Sequence, residues 1–178
     1  MTTPSTAAAG PVAGPASWQL DPAGSTVTFL HKSVWGLVTV RGTFTGLSGT
    51  GTIAADGSAS GRLIIDAATL DTKHAARDKH LRSADFFDAE AHPQITVDIT
   101  SVARGGAVRA ELSGTLTAAG ISRPLRLTGA VTEESEQHVT IAATGEFDRA
   151  DFGMTWNRLG MVRGKATVTV VARFARER

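Results

Sequence analysis

The sequence of 178 residues contains no cysteine and no tyrosine, and its aromatic content is only 6%. The missing cysteines exclude disulfide bonds, thiolate catalysis and cysteine-ligated metal sites. No stretch approaches the roughly 18 consecutive apolar residues that a membrane-spanning helix requires. The net charge is +1, from 18 bases and 17 acids. Because these charges are scattered along the chain, the sequence carries no electrostatic signature of nucleic-acid binding.

The first 17 residues are mostly Ala, Pro, Thr, Ser and Gly, a composition typical of a disordered tail. They lack the basic start and the apolar run of a signal peptide. We therefore expect a tail over residues 1–17 and one domain over residues 18–178, which is long enough to bury a sizeable core. We also expect a cytoplasmic location, with a periplasmic or secreted location as the alternative.

Alternation of apolar and polar residues with a period of two dominates the sequence after the tail and predicts long β-strands. From Gln94 onward, for example, Ile95, Val97 and Ile99 alternate with polar residues. Short connections such as Asp56-Gly57 predict that sequential strands are antiparallel neighbours. About eight or nine such strands favour an all-β fold, an up-and-down antiparallel barrel.

The interior of an eight-stranded barrel is either filled by side chains or open for one small ligand. Several residues on the apolar side of the predicted strands are small, which favours an elongated apolar cavity. The glycines among them could instead mark bends or close backbone approach. The small residues are Ala110, Gly114, Gly129, Ala143, Gly145 and Ala172.

One segment, residues 70–97, interrupts the strand pattern with the sequence LDTKHAARDKHLRSADFFDAEAHPQITV. Either residue of the Asp71-Thr72 pair can cap a helix that runs to about Ser83. This helix has almost no apolar stripe, so it cannot be a core helix. It can lie across an opening of the barrel as a short lid, with the Phe86-Phe87 pair inserted beneath it.

Three motifs follow one another along the chain: the segment just quoted, then SGTLTAAGISRPLRLTG, then FDRADFGMTW. Together they resemble the YceI-like family of lipocalin-like, polyisoprenoid-binding proteins. The opening WQLDPAGSTVTFLHKSVWGLVTVRGTF is similar to that family's first two strands, and the resemblance covers residues 17–174. It implies a lipocalin-like barrel of about eight strands around a hydrophobic tunnel. The tunnel would bind an isoprenoid lipid, of the quinone or polyprenyl phosphate type, for carriage or storage. The resemblance also implies a possible homodimer, no cofactor and no enzymatic activity.

The tunnel hypothesis assigns two groups of apolar candidates for ligand binding, although each residue could equally belong to an ordinary core. The first group lies on strand faces and comprises Phe29, Val40, Phe44, Leu63, Ile65, Ile95, Val97, Leu116, Leu127 and Phe147. The second group lies off the regular strands, as candidates for the mouth and lid, and comprises Trp35, Leu81, Phe86, Phe87, Phe152 and Trp156.

Two polar residues are further candidates for ligand binding. His31 falls on the apolar face of its strand and could hydrogen-bond a ligand head group or a neighbouring side chain. Arg77 could meet a phosphate or a quinone oxygen, or it could form an ion pair that fixes the helix to the barrel. We expect the turn Asp148–Asp151 to cap or brace that helix rather than to be catalytic.

Two other classes of function remain open. A metal-dependent or acid–base enzyme would use His74, Asp78 and His80, but His80 is displaced by about 120° from Asp78 on a helical wheel. The sequence also contains no HExxH motif. A ligand-free interaction barrel would need an exposed apolar patch, for which the segment 34–37 is the candidate. That segment could equally form a dimer contact.

Overall fold

The computed structural model describes residues 15–34, 36–106, 109–162 and 164–177. Eleven strands and one α-helix form within these ranges. The strands are β1 (Ala16–Leu20), β2 (Thr26–Ser33), β3 (Val38–Phe44), β4 (Leu47–Ile53), β5 (Ala59–Asp66), β6 (Leu70–Asp71), β7 (Gln94–Gly105), β8 (Arg109–Ala118), β9 (Ile121–Glu134), β10 (His138–Phe147) and β11 (Ala166–Arg176). The helix α1 is Ala75–Arg82, and short 3₁₀ turns occupy Pro22–Gly24, Ala67–Thr69, Arg149–Phe152 and Arg158–Gly160.

Eight of the strands close into an antiparallel barrel. The order around the barrel is β1, β4, β5, β7, β8, β9, β10 and β11, and β1 also pairs with β11 to complete the ring. Closure gives each of these eight strands a paired neighbour on both sides, which is how an antiparallel barrel satisfies its backbone hydrogen bonds. The expected antiparallel barrel of about eight strands with one short helix is therefore confirmed.

The remaining three strands extend the barrel wall at one end. β1 and β2 pair with successive parts of the same edge of β11, and β3 pairs with β2. β6 pairs with β3 only at Leu70 and Asp71. The segment 67–93 therefore completes the wall beside β3, and it is closed at its base by a hydrogen bond of 2.9 Å from the Ala67 amide to the Pro93 carbonyl. We call this end of the barrel, which carries α1, the helix end.

The helix starts later than expected. Its N-cap is His74, whose Nδ1 accepts a hydrogen bond from the Arg77 amide, whereas a cap at Asp71 or Thr72 was expected. The physical reason is that Asp71 belongs to β6 and Lys73 has a φ of 62°, so the chain cannot be helical before residue 74. Within the described ranges, no helix is both long and apolar enough to cross a membrane.

The first strand also begins earlier than expected, at Ala16 rather than at Trp18. Ala16 and Ser17 pair with Ile53 and Thr52 of β4, so two residues of the expected tail belong to the barrel. Residues 1–14 of the expected tail lie outside the described residues.

The small residues of the barrel interior divide into two kinds. Ala110, Ala143 and Ala172 line the interior and leave space there, as expected. The glycines serve close packing instead, which corrects the expectation that they also leave volume. A Cβ at Gly129 would lie 2.9 Å from the carbonyl oxygen of Ala142, and a Cβ at Gly145 would lie 2.4 Å from a methyl of Leu127.

Gly114 marks the tightest approach between two strands. A Cβ there would lie 1.8 Å from the carbonyl oxygen of Asp98. At this point the pairing of β7 with β8 shifts register between Ile99 and Ser101. A bulge on β7 thus presses the backbone against Gly114, and the position requires a residue without a side chain.

We predict that Gly114→Ala destabilises the protein by about 2–3 kcal/mol, because its methyl group would overlap backbone that only a strand shift can move. Chemical denaturation measures the change in the free energy of unfolding. Gly105→Ala is the matched control in the same hairpin, since a Cβ there meets only the Arg109 side chain at 3.7 Å. Equal losses in the two variants would contradict the assigned role of the bulge.

Candidate ligand cavity

A continuous cavity of about 670 Å³ occupies the barrel interior. Small-molecule sites in proteins range over about 300–1,000 Å³, so this volume suits a ligand rather than a few waters. At the helix end the cavity is lined by Phe86 and Trp156, and at the other end by Gly57 and Arg62 near the β4–β5 hairpin. The cavity therefore extends along the barrel from one end to the other.

The structure brings the predicted ligand-binding residues together around this cavity. Those that line it are Phe29, His31, Val40, Phe44, Leu63, Ile65, Arg77, Leu81, Phe86, Phe87, Ile95, Val97, Leu116, Leu127, Phe147, Phe152 and Trp156. Trp35, the remaining candidate, lies outside the described residues. Strand parity therefore identified the inward faces of the barrel from sequence.

Other lining residues were not predicted as site residues. They include Trp18, Ser33, Val102, Leu125, Val131, Val139, Arg149, Met154 and Val162. Leu125, Val131 and Val139 lie on the apolar faces of β9 and β10, so strand alternation carried a signal for them. No comparable signal existed for Trp18, which stands in a strand of five residues, or for Arg149, a charged residue in a turn.

Aromatic side chains close the cavity at the helix end. The His80 ring stands edge-on to Phe86, at a centroid distance of 5.1 Å, and to Trp156, at 4.5 Å. The Phe86 and Trp156 centroids are 5.7 Å apart, and Phe87 stands edge-on to Phe44 at 5.8 Å. We call His80, Phe86, Phe87 and Trp156 the mouth cluster. It joins the α1 segment to β3 and to the β10–β11 connection.

A buried polar contact fixes α1 to the end of β6. Asp78 is only 7% exposed and accepts hydrogen bonds from both the amide and the hydroxyl of Thr72. Arg77 donates from Nε to the Thr72 hydroxyl at 2.7 Å and from Nη2 to the Thr72 carbonyl at 2.8 Å. Bonds to Thr72 therefore take the place of the expected ion pair, and Thr72 directly follows β6, the strand that pairs with β3.

The charged side chains that line the cavity are all basic within the described residues, namely Arg62, Arg77, Arg104 and Arg149. Two of them have acidic partners. Arg62 pairs with Asp98 and Arg104 with Glu134, the latter at 3.1 Å. The other two, at the helix end, form no salt bridge with any described acid. Among the lining residues, the bases without a salt-bridge partner therefore lie at the helix end.

Arg149 braces the β10–β11 connection rather than α1, which corrects the expected role of its turn. Its guanidinium donates to the carbonyls of Met154, Trp156 and Val162, at 2.7 Å in the case of Trp156. Asp148 caps the 3₁₀ turn by accepting from the Ala150 amide at 2.9 Å. Burial lowers the pKa of Arg149 below its ordinary value, and the nearby Asp148 carboxylate opposes the shift.

His31 is the second polar group at the helix end of the cavity. Its Nε2 is buried and has no hydrogen-bond partner among the described residues. Burial lowers the pKa of His31 below that of free imidazole, and the Arg149 guanidinium acts in the same direction. A backbone hydrogen bond with Gly164 opposes this shift. A neutral imidazole with one free ring nitrogen can hydrogen-bond a polar group inside the cavity.

The three residues proposed as metal ligands for the enzyme alternative do not form one site. Within the described ranges, no group of three or more His, Cys, Asp or Glu side chains could hold a metal ion. His74 caps α1, Asp78 bonds to Thr72, and His80 lies 3.0 Å from a carboxylate oxygen of Asp85. The three residues therefore have separate structural partners and do not converge on one point.

A closed antiparallel barrel with an internal apolar cavity and an aromatic mouth defines the class of lipocalin-like barrels. Within that class the chain belongs to the YceI-like family, because the YceI-like domain model matches residues 18–174. Protein YceI of Escherichia coli O157:H7 is 40% identical over 88 residues, which cover 48% of this chain and 46% of that protein. A UPF0312 protein of Ectopseudomonas mendocina (strain ymp) is 43% identical over 61 residues, 34% of this chain and 32% of that protein. The matched region thus spans less than half the length of these curated relatives.

Two solved structures resemble this barrel over nearly all of its length. Burkholderia cenocepacia BcnA has a TM-score of 0.77 and 21% identity, and the match covers 86% of this chain and 98% of that chain. A polyisoprenoid binding domain from Saccharophagus degradans, implicated in plant cell wall breakdown, has a TM-score of 0.73 and 19% identity. That match covers 91% of this chain and 99% of the other. At these identities the likeness shows the fold alone.

We predict that His31 reduces stability in mild acid. The pKa of His31 in the folded protein lies below the unfolded value of about 6.5. The contribution of neutral His31 to the free energy of unfolding is therefore complete above that pH, and it is lost as the pH falls through the folded pKa. Urea unfolding from pH 8 to pH 5 should therefore show wild type losing stability relative to His31→Gln. An NMR titration of the His31 ring with a midpoint at or above about 6.5 would disprove this assignment.

Proposed function

We propose that the protein binds an isoprenoid lipid in its barrel cavity, of the quinone or polyprenyl phosphate type, for carriage or storage. The observation that carries this proposal is a continuous cavity of about 670 Å³ whose described lining is apolar apart from a few bases and neutral polar groups. The structural likeness to a polyisoprenoid binding domain supports it. The bound lipid would be cargo and not a cofactor.

The shape and chemistry of the cavity suit a long hydrocarbon chain. Each methylene that leaves water contributes about 0.8 kcal/mol, so an isoprenoid chain gains affinity along its whole length without any specific polar contact. The lining residues come from both ends of the barrel, from Trp156 at the helix end to Gly57 at the β4–β5 hairpin. An elongated ligand uses this geometry better than a compact one.

We place the polar head group at the helix end. Arg77 and Arg149 line the cavity there and bond only to neutral acceptors among the described residues. His31 adds a ring nitrogen that has no described partner. Phosphate and quinone oxygens are hydrogen-bond acceptors, and guanidinium groups bind such oxygens well. The apolar tail would then extend towards the β4–β5 hairpin.

Native mass spectrometry of the purified protein, with analysis of an organic extract, tests the proposal directly. We expect one isoprenoid lipid per chain in the wild type and a strongly reduced occupancy in Ala143→Phe, whose side chain would fill the cavity from β10. The mass of the extracted lipid distinguishes a quinone from a polyprenyl phosphate. A protein that carries no lipid and takes up neither added compound would refute the proposed function.

We also predict that the mouth cluster retains the lipid. In Phe86→Ala/Phe87→Ala the loss of two phenyl contacts should accelerate lipid release at least about tenfold, since one such contact is worth on the order of 1.5 kcal/mol. Transfer of bound quinone to acceptor vesicles measures this rate. Leu20→Ala is the control, because Leu20 is buried in β1 and does not line the cavity. If both variants release lipid equally fast, loss of stability explains the effect and the lid assignment fails.

A further inference from the structure

The exposed large apolar side chains of the described residues all lie at the helix end of the barrel. They are Leu37, which is 83% exposed, Leu159, which is 78% exposed, and Val38, which is 43% exposed. Leu37 and Val38 belong to the β2–β3 hairpin, and Leu159 to the β10–β11 connection. Apolar side chains scattered singly over a surface need no explanation, whereas a concentration beside the end of a cavity does.

These two loops are neighbours in space. Ser33 forms an isolated antiparallel bridge with Val162, and it also pairs with Val38 across the β2–β3 hairpin. Ser33 and Val162 both line the cavity. We call the described residues of the segments 31–41 and 156–165 the rim. The rim therefore borders the cavity and carries the three exposed apolar side chains.

The loop that carries Leu159 is held in shape by specific contacts. The Asn157 side chain donates to the Val162 carbonyl at 3.0 Å and accepts from the Val162 amide at 2.9 Å. Leu159 itself has φ 56° and ψ 22°, a left-handed conformation that is rare for a leucine. Unfavourable backbone conformations that persist because surrounding contacts enforce them are concentrated at functional sites.

The charge of the two loops is of one sign. The sequence segments 31–41 and 156–165 contain five Lys or Arg residues and no Asp or Glu, in a chain that has 18 bases and 17 acids overall. Four of these bases lie in the rim and are exposed, namely Lys32, Arg41, Arg158 and Lys165. Apolar tips flanked by bases are the combination that binds an anionic lipid surface, with the tips in the interface and the bases near the phosphates.

We propose that the rim docks on the surface of an anionic lipid bilayer and presents the helix end of the cavity to it. This inference rests on the proposed function, because a protein that loads isoprenoid lipid must reach the membrane in which such lipids dissolve. The contact is peripheral: side chains of two loops enter the interface and the barrel stays outside it.

The same features disfavour a second copy of the chain as the occupant of this surface. A symmetric dimer joins identical patches, so the four exposed bases would face their own copies without any rim acid to compensate them. Stable protein interfaces also bury about 1,200–2,000 Å² in total. Three exposed apolar side chains on two loops offer little of that area.

Flotation with vesicles of phosphatidylcholine, alone or mixed with phosphatidylglycerol, tests the docking proposal. We expect wild-type protein to bind the mixed vesicles and to bind pure phosphatidylcholine much more weakly. Leu37→Ser/Leu159→Ser should weaken binding roughly tenfold or more, because two leucines no longer enter the interface. Arg158→Glu/Lys165→Glu should weaken it by roughly fivefold or more for each base replaced.

A matched charge control is available away from the rim. Arg109 at the start of β8 and Arg126 within β9 are exposed, and Arg109→Glu/Arg126→Glu changes the net charge by the same amount as the rim variant. We expect this control to bind the mixed vesicles as wild type does. If it loses binding equally, the attraction depends on net charge alone and the rim assignment is wrong.

Two further outcomes separate the docking proposal from the function on which it rests. Wild-type protein that accepts quinone from detergent but does not bind mixed vesicles would overturn docking and leave lipid binding intact. Light scattering supplies the second readout. A dimer that dissociates in Leu37→Ser/Leu159→Ser would show that the rim joins two copies of the chain, which also overturns docking on a bilayer.

Discussion

The structure depends on the pairing of β1 with both β11 and β4. Trp18 stands opposite Arg176 on one side and Gly51 on the other, and this contact turns an open sheet into a closed barrel. Closure satisfies the backbone hydrogen bonds of the eight strands without any need for a filled interior. The volume inside can therefore remain large, and the small side chains of Ala110 and Ala143 keep part of it free.

The helix end of the barrel combines a charged segment with aromatic side chains. A segment rich in charge extends the barrel wall beside β3 through the pairing of β6 with β3, and the bonds of Arg77 and Asp78 to Thr72 hold α1 against the end of β6. The aromatic rings of that segment face inward against Phe44 and Trp156. One short segment thus combines a polar outer surface with an apolar inner one, which suits an entrance between water and an apolar cavity.

Local patterns in the sequence predicted much of the fold and of the lining. Alternation with a period of two gave both the strands and their inward faces, because side chains of a strand point alternately to its two sides. Phe29, Leu63 and Val97 were therefore identified correctly as lining residues. The same reasoning could not reach Trp18 or Arg149. Trp18 faces the cavity only because β1 closes the barrel. Arg149 faces it because its guanidinium binds carbonyls of the irregular β10–β11 connection, where no strand alternation exists.

The sequence by itself determined that this chain forms antiparallel strands, which faces of those strands are apolar, and that a polar segment interrupts them. Only the tertiary structure decided which small residues leave space in the interior and which glycines are required for close packing. Gly114 lies against the Asp98 carbonyl because β7 bulges at that point, and such a bulge depends on the pairing of two strands. Tertiary structure alone also brought Leu37 and Leu159 to one rim, since their loops meet through the Ser33–Val162 bridge. Alternation is a property of neighbours in the chain, whereas proximity across the barrel arises only when the sheet closes.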